Sequence, residues 1–569
     1  MRTVRTIVRK FGVALRATSR VRSGSRGGRR RITRSFVLVP LSWLAGLGLL
    51  VQGSRSAWAA AGDLDAGFGS AGVVTTDIAG QSGGDGISAL VLQPDGKIVA
   101  AGQGLYTLPS IDTRFALVRY RPDGTRDGTF GNGGIVTTDF PGTFARARAL
   151  ALQPDGKLLA AGFTLTVAGG PGDVALARYN ANGTLDATFG SGGLIVGNPV
   201  MNDARAIVLT PDGKIVIAGT ARICCQFMVA RYDARGALDP SFGSGGIAQV
   251  DLGPFDEPWA LVQQPDGKLV AGGFRGSPGN FDFALVRFSA DGSLDTTFGT
   301  SGSTVLDFAG ADDEVQALAM TPDGAIVAAG FTTSGGARDW GLARFTPDGR
   351  LDARFGNAGR VVVDAGTSQD VATGLAVLPS GKVAVTGLGS GVGGEDFVVA
   401  QLRGDGTIDP TFGAGGVVRT NFGGALSDVS VALLRQPDGK LVVGGSAPGQ
   451  SDFALARYLD DPPPTPFDHL RCYGAKDLRD PPFRPSVVQL VDQFTSELVQ
   501  LKKPEQVCVP VDENGSGTPD IARSLCCYRT TGRPLQPPPV VRTDDQVERL
   551  ELQLRKPATL CRPCTAAGS

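Results

Sequence analysis

The sequence holds one histidine, His469, in 569 residues. A Ser-His-Asp or Cys-His nucleophile needs a placed imidazole, and most catalytic zinc sites need one or more. A single histidine near the C-terminus leaves little room for either chemistry. Aromatic residues are few, at 7 %. Acidic residues are missing altogether from the first 59 positions, which carry thirteen Lys and Arg. Beyond that stretch 42 basic residues face 55 acidic ones, so a balanced total hides an acidic body near −13. A field of that sign does not favour nucleic acid or an anionic membrane. Beyond the leader no apolar run is long enough to span a bilayer.

What the first 59 residues do contain is an export pattern. Arginines crowd the first 34 positions, Phe36 to Val51 is apolar and uncharged, and Ala57-Trp58-Ala59 supplies small residues before a cut. A basic region, an apolar core and an A-x-A site describe a secretory signal peptide. Cleavage is expected after Ala59, leaving no membrane segment and a chain bound for the periplasm or the outside. The sixteen apolar residues, broken by Pro40, are short for an uncut anchor. The long basic region leaves open a true start downstream of Met1.

Glycine is plentiful, at 82 residues, and it is spaced by repeats. A PDGK-like turn recurs at Pro94, Pro154, Pro211, Pro265, Pro322, Pro379 and Pro437. An LDxxFG motif begins at Leu64, Arg126, Leu185, Leu238, Leu294, Leu351 and Ile408. A DFALARY-like run ends at Tyr120, Tyr179, Tyr232, Phe288, Phe345, Leu402 and Tyr458. Three motifs, seven times each in one order, cannot arise by chance. Proline presets φ, Asp caps the turn and Gly takes positive φ, so each PDG closes a hairpin. DVALARY reads as a third, alternating strand, and the run after LDxxFG as a fourth. Four antiparallel strands in each of seven repeats give an all-β fold, a seven-bladed β-propeller.

The phase of the array sharpens this reading. It opens with the end of a repeat, LDAGFGSAGVVTTD, and closes with DFALARY, so the last copy lacks its fourth strand. Val73 to Thr76 is expected to pair beside Phe453 to Tyr458 and close the ring, removing both exposed edges. Over about residues 63 to 460 the chain resembles the delta-60 repeat family. The resemblance implies a propeller-like array on exported bacterial proteins; it brings no enzyme activity and no site residues.

The expected organisation is a signal peptide at 1–59, the propeller at 60–460, a Pro-rich linker at 461–466 and a small Cys-rich β domain at 467–569. That last domain is duplicated, with matching elements 53 to 55 residues apart. Six of eight cysteines lie in it. In an exported chain they read as disulfides. The duplication favours Cys472 with Cys508 and Cys527 with Cys561, leaving Cys526 for Cys564; a metal site using the Cys561-x-x-Cys564 spacing is the alternative. The segment is similar to a paired CY…DQF…KKP…C module of unknown function found on secreted bacterial proteins.

Few residues suggest chemistry. Asp85, Asp256, Asp313, Asp370 and Asp428 recur nine positions before the turn proline, where the inner strand begins. They could form a carboxylate ring at a tunnel mouth and hold a cation such as calcium, or cap the turns that lead into each strand. The Asp of LDxxFG is present in all seven repeats and an Arg near the end of the third strand in six. This pairing is expected to lock each blade, with a bidentate fork available. Cys224-Cys225 breaks the pattern, as a vicinal disulfide or a structural pair. DENGSGTPD at 512–520 resembles the start of a calcium loop, but Arg523 stands where a Glu is needed.

Loops between second and third strands vary most and should share one face with the segments leading into the first strand. Phe144, Arg146, Phe255, Glu257, Trp259, Phe274, Arg275, Phe281, Phe331 and Trp340 lie in or near them, a mixture that suits protein or glycan contact. The sequence therefore reads as an exported, monomeric, non-catalytic scaffold that binds a protein or glycan without a cofactor. The alternative is a metal-dependent lyase or hydrolase using the Asp ring. An enzyme should converge unlike residues on one pocket, whereas a scaffold should repeat the same residues in every blade.

Overall fold

The computed structural model describes Ala60 to Asp460 except for short loop segments at 79–83, 107–111, 142–143, 166–171, 223–225, 309–310, 367–368, 392–393, 424–426 and 448–451. Beyond residue 460 it describes the backbone of eight short strands between Leu470 and Pro563. The leader at 1–59, Cys224, Cys225, the linker, His469, Cys564 and the 512–520 segment lie outside the described residues.

The described residues contain no helix, and 28 strands form seven blades. Each blade is a four-stranded antiparallel meander. In blade four, Phe255–Gln263, Leu269–Ser277, Asn280–Phe288 and Ser303–Leu306 run from the inside out. The inner strands of blades one to seven are Gly86–Leu92, Phe144–Leu152, Met201–Leu209, Phe255–Gln263, Asp313–Met320, Val371–Val377 and Val429–Arg435. Each packs against the next, and the seventh packs against the first, so the ring closes. The outer strand of blade seven is Val73–Thr76, from the start of the body. Val73 faces Ala456 and Thr76 faces Phe453, which is the closure expected from the repeat phase.

The third strand does not alternate as expected. In Asp173–Tyr179 every residue after Asp173 is buried. The cause is position: this strand is central in its blade, and neighbouring blades cover both faces. The core therefore lies between blades. Phe115 and Phe130 of blade one pack in one cluster with Leu158 and Tyr179 of blade two, all fully buried. Each such side chain contributes about 2 kcal/mol by leaving water.

Every inner strand also carries a β-bulge. In blade two the pairing steps from Ala147–Gly162 to Ala149–Ala161, leaving Arg148 without a partner residue. The same step strands Ser88, Arg205, Trp259, Gln316, Thr373 and Val431 in the other blades. The bulge drives the inner strand against the second. A Cβ on Gly162 would lie 2.0 Å from the Arg146 carbonyl oxygen, so only glycine fits there.

In the C-terminal segment the backbone register sets Cys472 opposite Cys508 and Cys527 opposite Cys561, the pairs that the duplication favoured. Cys526 faces Arg562.

Candidate functional site

The antiparallel register divides the propeller into two faces. The PDG turns lie at one. The starts of inner and third strands and the ends of second and outer strands lie at the other, because they pair with one another in every blade.

At the PDG face the repeated residues build a latch. Arg178 Nε donates to Asp186 Oδ2 at 2.8 Å, and both side chains are 6 % exposed. Asp186 Oδ1 is occupied by the Thr188 amide and hydroxyl, so the pair is not the two-pronged fork that was expected. The arginine instead spends Nη1 on the Ala234 carbonyl of the next blade and stacks over Phe189 at 4.6 Å. Lys157 of the PDGK turn adds a second cation to Asp186 at 3.1 Å. The same set recurs around Asp127, Asp239, Asp295 and Asp65. In blade six Gln401 replaces the arginine and Lys382 holds Asp409 at 2.9 Å. The lysine's share was legible only as part of a turn motif; nothing in the spacing tied it to a distant Asp. These residues hold the frame together.

The opposite face carries the residues of interest. The five recurrent aspartates do not form an open ring there. Asp85 is 4 % exposed and Asp256, Asp313, Asp370 and Asp428 are fully buried. Asp256 Oδ2 accepts the Leu252 amide at 2.6 Å, Asp313 that of Phe308 at 2.7 Å and Asp428 that of Phe422 at 2.9 Å. Asp85 takes both the Ile78 and Leu105 amides. Each of these four thus pins the loop that connects its blade to the previous one. Burial pushes Asp85, Asp256 and Asp428 up to about 6. Asp85, Asp313 and Asp370 each meet two further carboxylates of the preceding blade.

The aromatic positions divide in the same way. Trp340 is fully buried and donates Nε1 to the Leu388 carbonyl of blade six, so it joins blades and cannot meet a ligand. Phe274 is 9 % exposed. Its ring packs on Phe281, which meets the exposed Phe255 edge-on. Arg275 is half-buried on the same edge of blade four.

Unlike residues converge at the bulges. The seven bulged positions hold Ser, Arg, Arg, Trp, Gln, Thr and Val, and the residues two before them include Arg146, Asp203, Glu257 and Glu314. Bulges re-aim side chains and interrupt pairing, which is why they border functional sites. Here several of the side chains link one inner strand to the next around the inner rim of the ring. Arg146 donates to Ser88 Oγ at 3.1 Å. Arg148 and Arg205 both reach Asp203 Oδ2 at 3.3 Å. The Arg205 guanidinium lies 3.7 Å above the Trp259 ring. Thr220 ties in Glu257, and Gln316 donates to Glu314 at 3.3 Å. Burial pushes Glu314 up to about 7 against the pull of Arg338, and raises Glu257 against Arg205. Burial and the adjacent Arg148 hold Arg146 near 10. Trp259 Nε1 and Asp203 Oδ1 are buried with no hydrogen-bond partner among the described residues. Of this rim the sequence singled out Trp259, Arg146 and Glu257. The remaining positions were hidden because a bulge shifts the alternation by one residue and changes no motif.

Comparison with known proteins fits the architecture. A family model described as "Domain of unknown function (DUF5122) beta-propeller" matches residues 93–130, 153–189, 210–242, 264–298, 321–355, 378–412 and 436–461. No curated protein matches the chain. Among solved structures it is similar to Sqt1 from Chaetomium thermophilum, at 15 % identity and a TM-score of 0.35, covering 68 % of this chain and 89 % of that one. It is also similar to a gluconolactonase from Xanthomonas campestris (15 % identity, TM-score 0.29, 68 % and 89 % covered). A third is the PQQ-bound aldose sugar dehydrogenase from Streptomyces coelicolor (14 % identity, TM-score 0.32, 68 % and 97 % covered).

Proposed function

Because the chain belongs, over residues 93–461, to the DUF5122 β-propeller family, with its repeated residues spent on the frame, we propose that it is an exported, non-catalytic binding propeller that takes a protein or glycan at the bulge rim of blades two to five. Scaffold character is supported by the Asp, Arg and Lys that return in blade after blade, and the binding site by Arg146, Arg148, Arg205, Trp259, Glu257 and Glu314, which lie outside the repeated motifs; their unlikeness is also what the enzyme reading below draws on. Mixed charge beside an aromatic face suits a ligand rich in hydroxyl and amide groups. The unpartnered Trp259 Nε1 and Asp203 Oδ1 each carry a desolvation cost of about 1–3 kcal/mol, which a bound polar group would relieve. Glycan-array and envelope-extract binding by the mature chain tests this. Trp259→Ala should weaken capture of the identified ligand tenfold or more, and unchanged affinity would exclude the rim.

Glu314 favours a second reading. A carboxyl that titrates near 7 can donate and accept a proton at neutral pH. A lyase or hydrolase would then use the rim rather than the buried aspartates. Turnover of a bound glycan, lost in Glu314→Gln while binding persists, would establish that reading.

A further inference from the structure

We propose that three blade junctions each hold one calcium ion between three aspartates: Asp282, Asp307 and Asp313 between blades four and five, Asp339, Asp364 and Asp370 between five and six, and Asp452, Asp77 and Asp85 between seven and one. The proposal stands apart from whatever binds the rim.

Each set is built alike. One carboxylate lies near the start of the third strand, one follows the outer strand, and one lies at the start of the next inner strand. In every set, one oxygen from each residue lies within 4.8 Å of the others. Two oxygens on opposite sides of one calcium, each bound at about 2.4 Å, stand about that far apart. Three carboxylates can therefore share a single calcium. The middle residue, Asp307, Asp364 or Asp77, is exposed, which leaves a path for the ion and for the waters that complete its shell.

Asp313 points to a ligand independently. It is fully buried, and its Oδ2 is satisfied by the Phe308 amide. Its Oδ1 is buried and makes no close hydrogen bond among the described residues, with the Thr332 hydroxyl and the Thr333 amide beside it. Asp452 is half-buried, and its Oδ1 is likewise without a hydrogen bond among the described residues. An ionised oxygen so placed is costly unless a cation meets it.

Other junctions show what happens when a set is incomplete: a donor of the protein stands where the ion would. Between blades one and two, Arg114 occupies the position of Asp282 and reaches Asp139 at 3.8 Å. Between two and three, Asn198 replaces the middle aspartate and Arg222 pairs with Asp173. Between six and seven, Asn421 takes the middle position and donates its amide to Asp396 at 2.8 Å. Positive or donor groups thus substitute for one missing carboxylate and one missing cation together.

The test uses the full exported chain, stripped with EGTA and then titrated with calcium chloride. Isothermal titration and elemental analysis should count at least three calcium ions per chain, and the melting temperature should rise with calcium. Asp307→Asn and Asp364→Asn alter exposed side chains and should each remove one ion and reduce the calcium-dependent rise in melting temperature. Asn421→Asp completes a fourth set and should add one. Absence of binding at millimolar calcium, or an ion count that none of the three substitutions changes, would overturn the proposal.

Discussion

Arg457 and Asp65 are 392 residues apart in the chain and 2.9 Å apart in the fold. The arginine ends blade seven, the aspartate precedes blade one, and the pair holds the ring shut. The same guanidinium stacks over Phe68 at 4.5 Å and donates to the Pro122 carbonyl of blade one. Arg457→Ala removes one partner of a mostly buried pair and should cost about 3 kcal/mol, read as a shift of the urea midpoint. Gln401→Ala, at the one blade without this arginine, should cost less.

Removing residues 60–77 should do more than lower stability. The third strand of blade seven, Asp452–Tyr458, would lose its outer neighbour and expose unpaired amides and carbonyls. Such edges recruit other chains. Light scattering should show association on removal, and addition of a VVTT-containing peptide in trans should suppress it.

Stability should respond to acid in two opposite phases. Asp85, Asp256 and Asp428, near 6, and Glu314, near 7, have folded pKa values above their unfolded ones. Between about pH 4 and 6 the folded chain therefore binds more protons than the unfolded one, and stability falls as pH rises. The latch carboxylates do the reverse. Burial raises Asp127, but bonds from Thr129 and the charges of Arg119 and Lys97 outweigh it and hold Asp127 at about 2. Its contribution is complete above pH 4 and is lost as pH falls through 2. The melting temperature in calcium-free buffer should be highest near pH 4–5, and a flat profile from pH 4 to 7 would contradict this assignment.

Two glycines separate conformational strain from collision. Gly156 has φ +84°, and a Cβ there would meet nothing nearer than 3.7 Å. Gly156→Ala should cost about 1 kcal/mol, from the left-handed backbone alone. Gly131 has φ +53°, and its Cβ would lie 2.3 Å from the Ile135 carbonyl oxygen. Gly131→Ala should cost clearly more in the same denaturation assay.

Trp259 and Trp340 should part company when each is changed to alanine. Trp340 is core, and its loss should cost about 3–5 kcal/mol. Trp259 sits at the rim under Arg205, so its loss should reduce ligand capture with a smaller change in melting temperature.

The fold was legible because a repeat reports itself many times over. The Pro-Asp-Gly turn, the FALARY strand and the LDxxFG motif each fix a local geometry, and their phase alone identified Val73–Thr76 as the strand that completes blade seven. The Asp–Arg pairing was legible for the same reason, since both residues return with every blade. The rim was not. Ser88, Arg148, Arg205, Trp259 and Gln316 each stand six residues before the turn proline, but only the two arginines share a residue type, and only the register shift shows that this position bulges, since register is a property of two strands together.

The aspartates show the boundary most clearly. Sequence placed Asp85, Asp256, Asp313, Asp370 and Asp428 at the start of the inner strand, which is correct, because the turn proline counts residues along one strand. It could not say which way they face or what they meet. A strand alternates its sides, so a shift of one residue separates the channel, where Glu314 lies, from the buried junction where Asp313 meets Asp282 and Asp307. The local order of strands and turns was written in the chain; which carboxylates share a site was decided only when separate blades packed side by side.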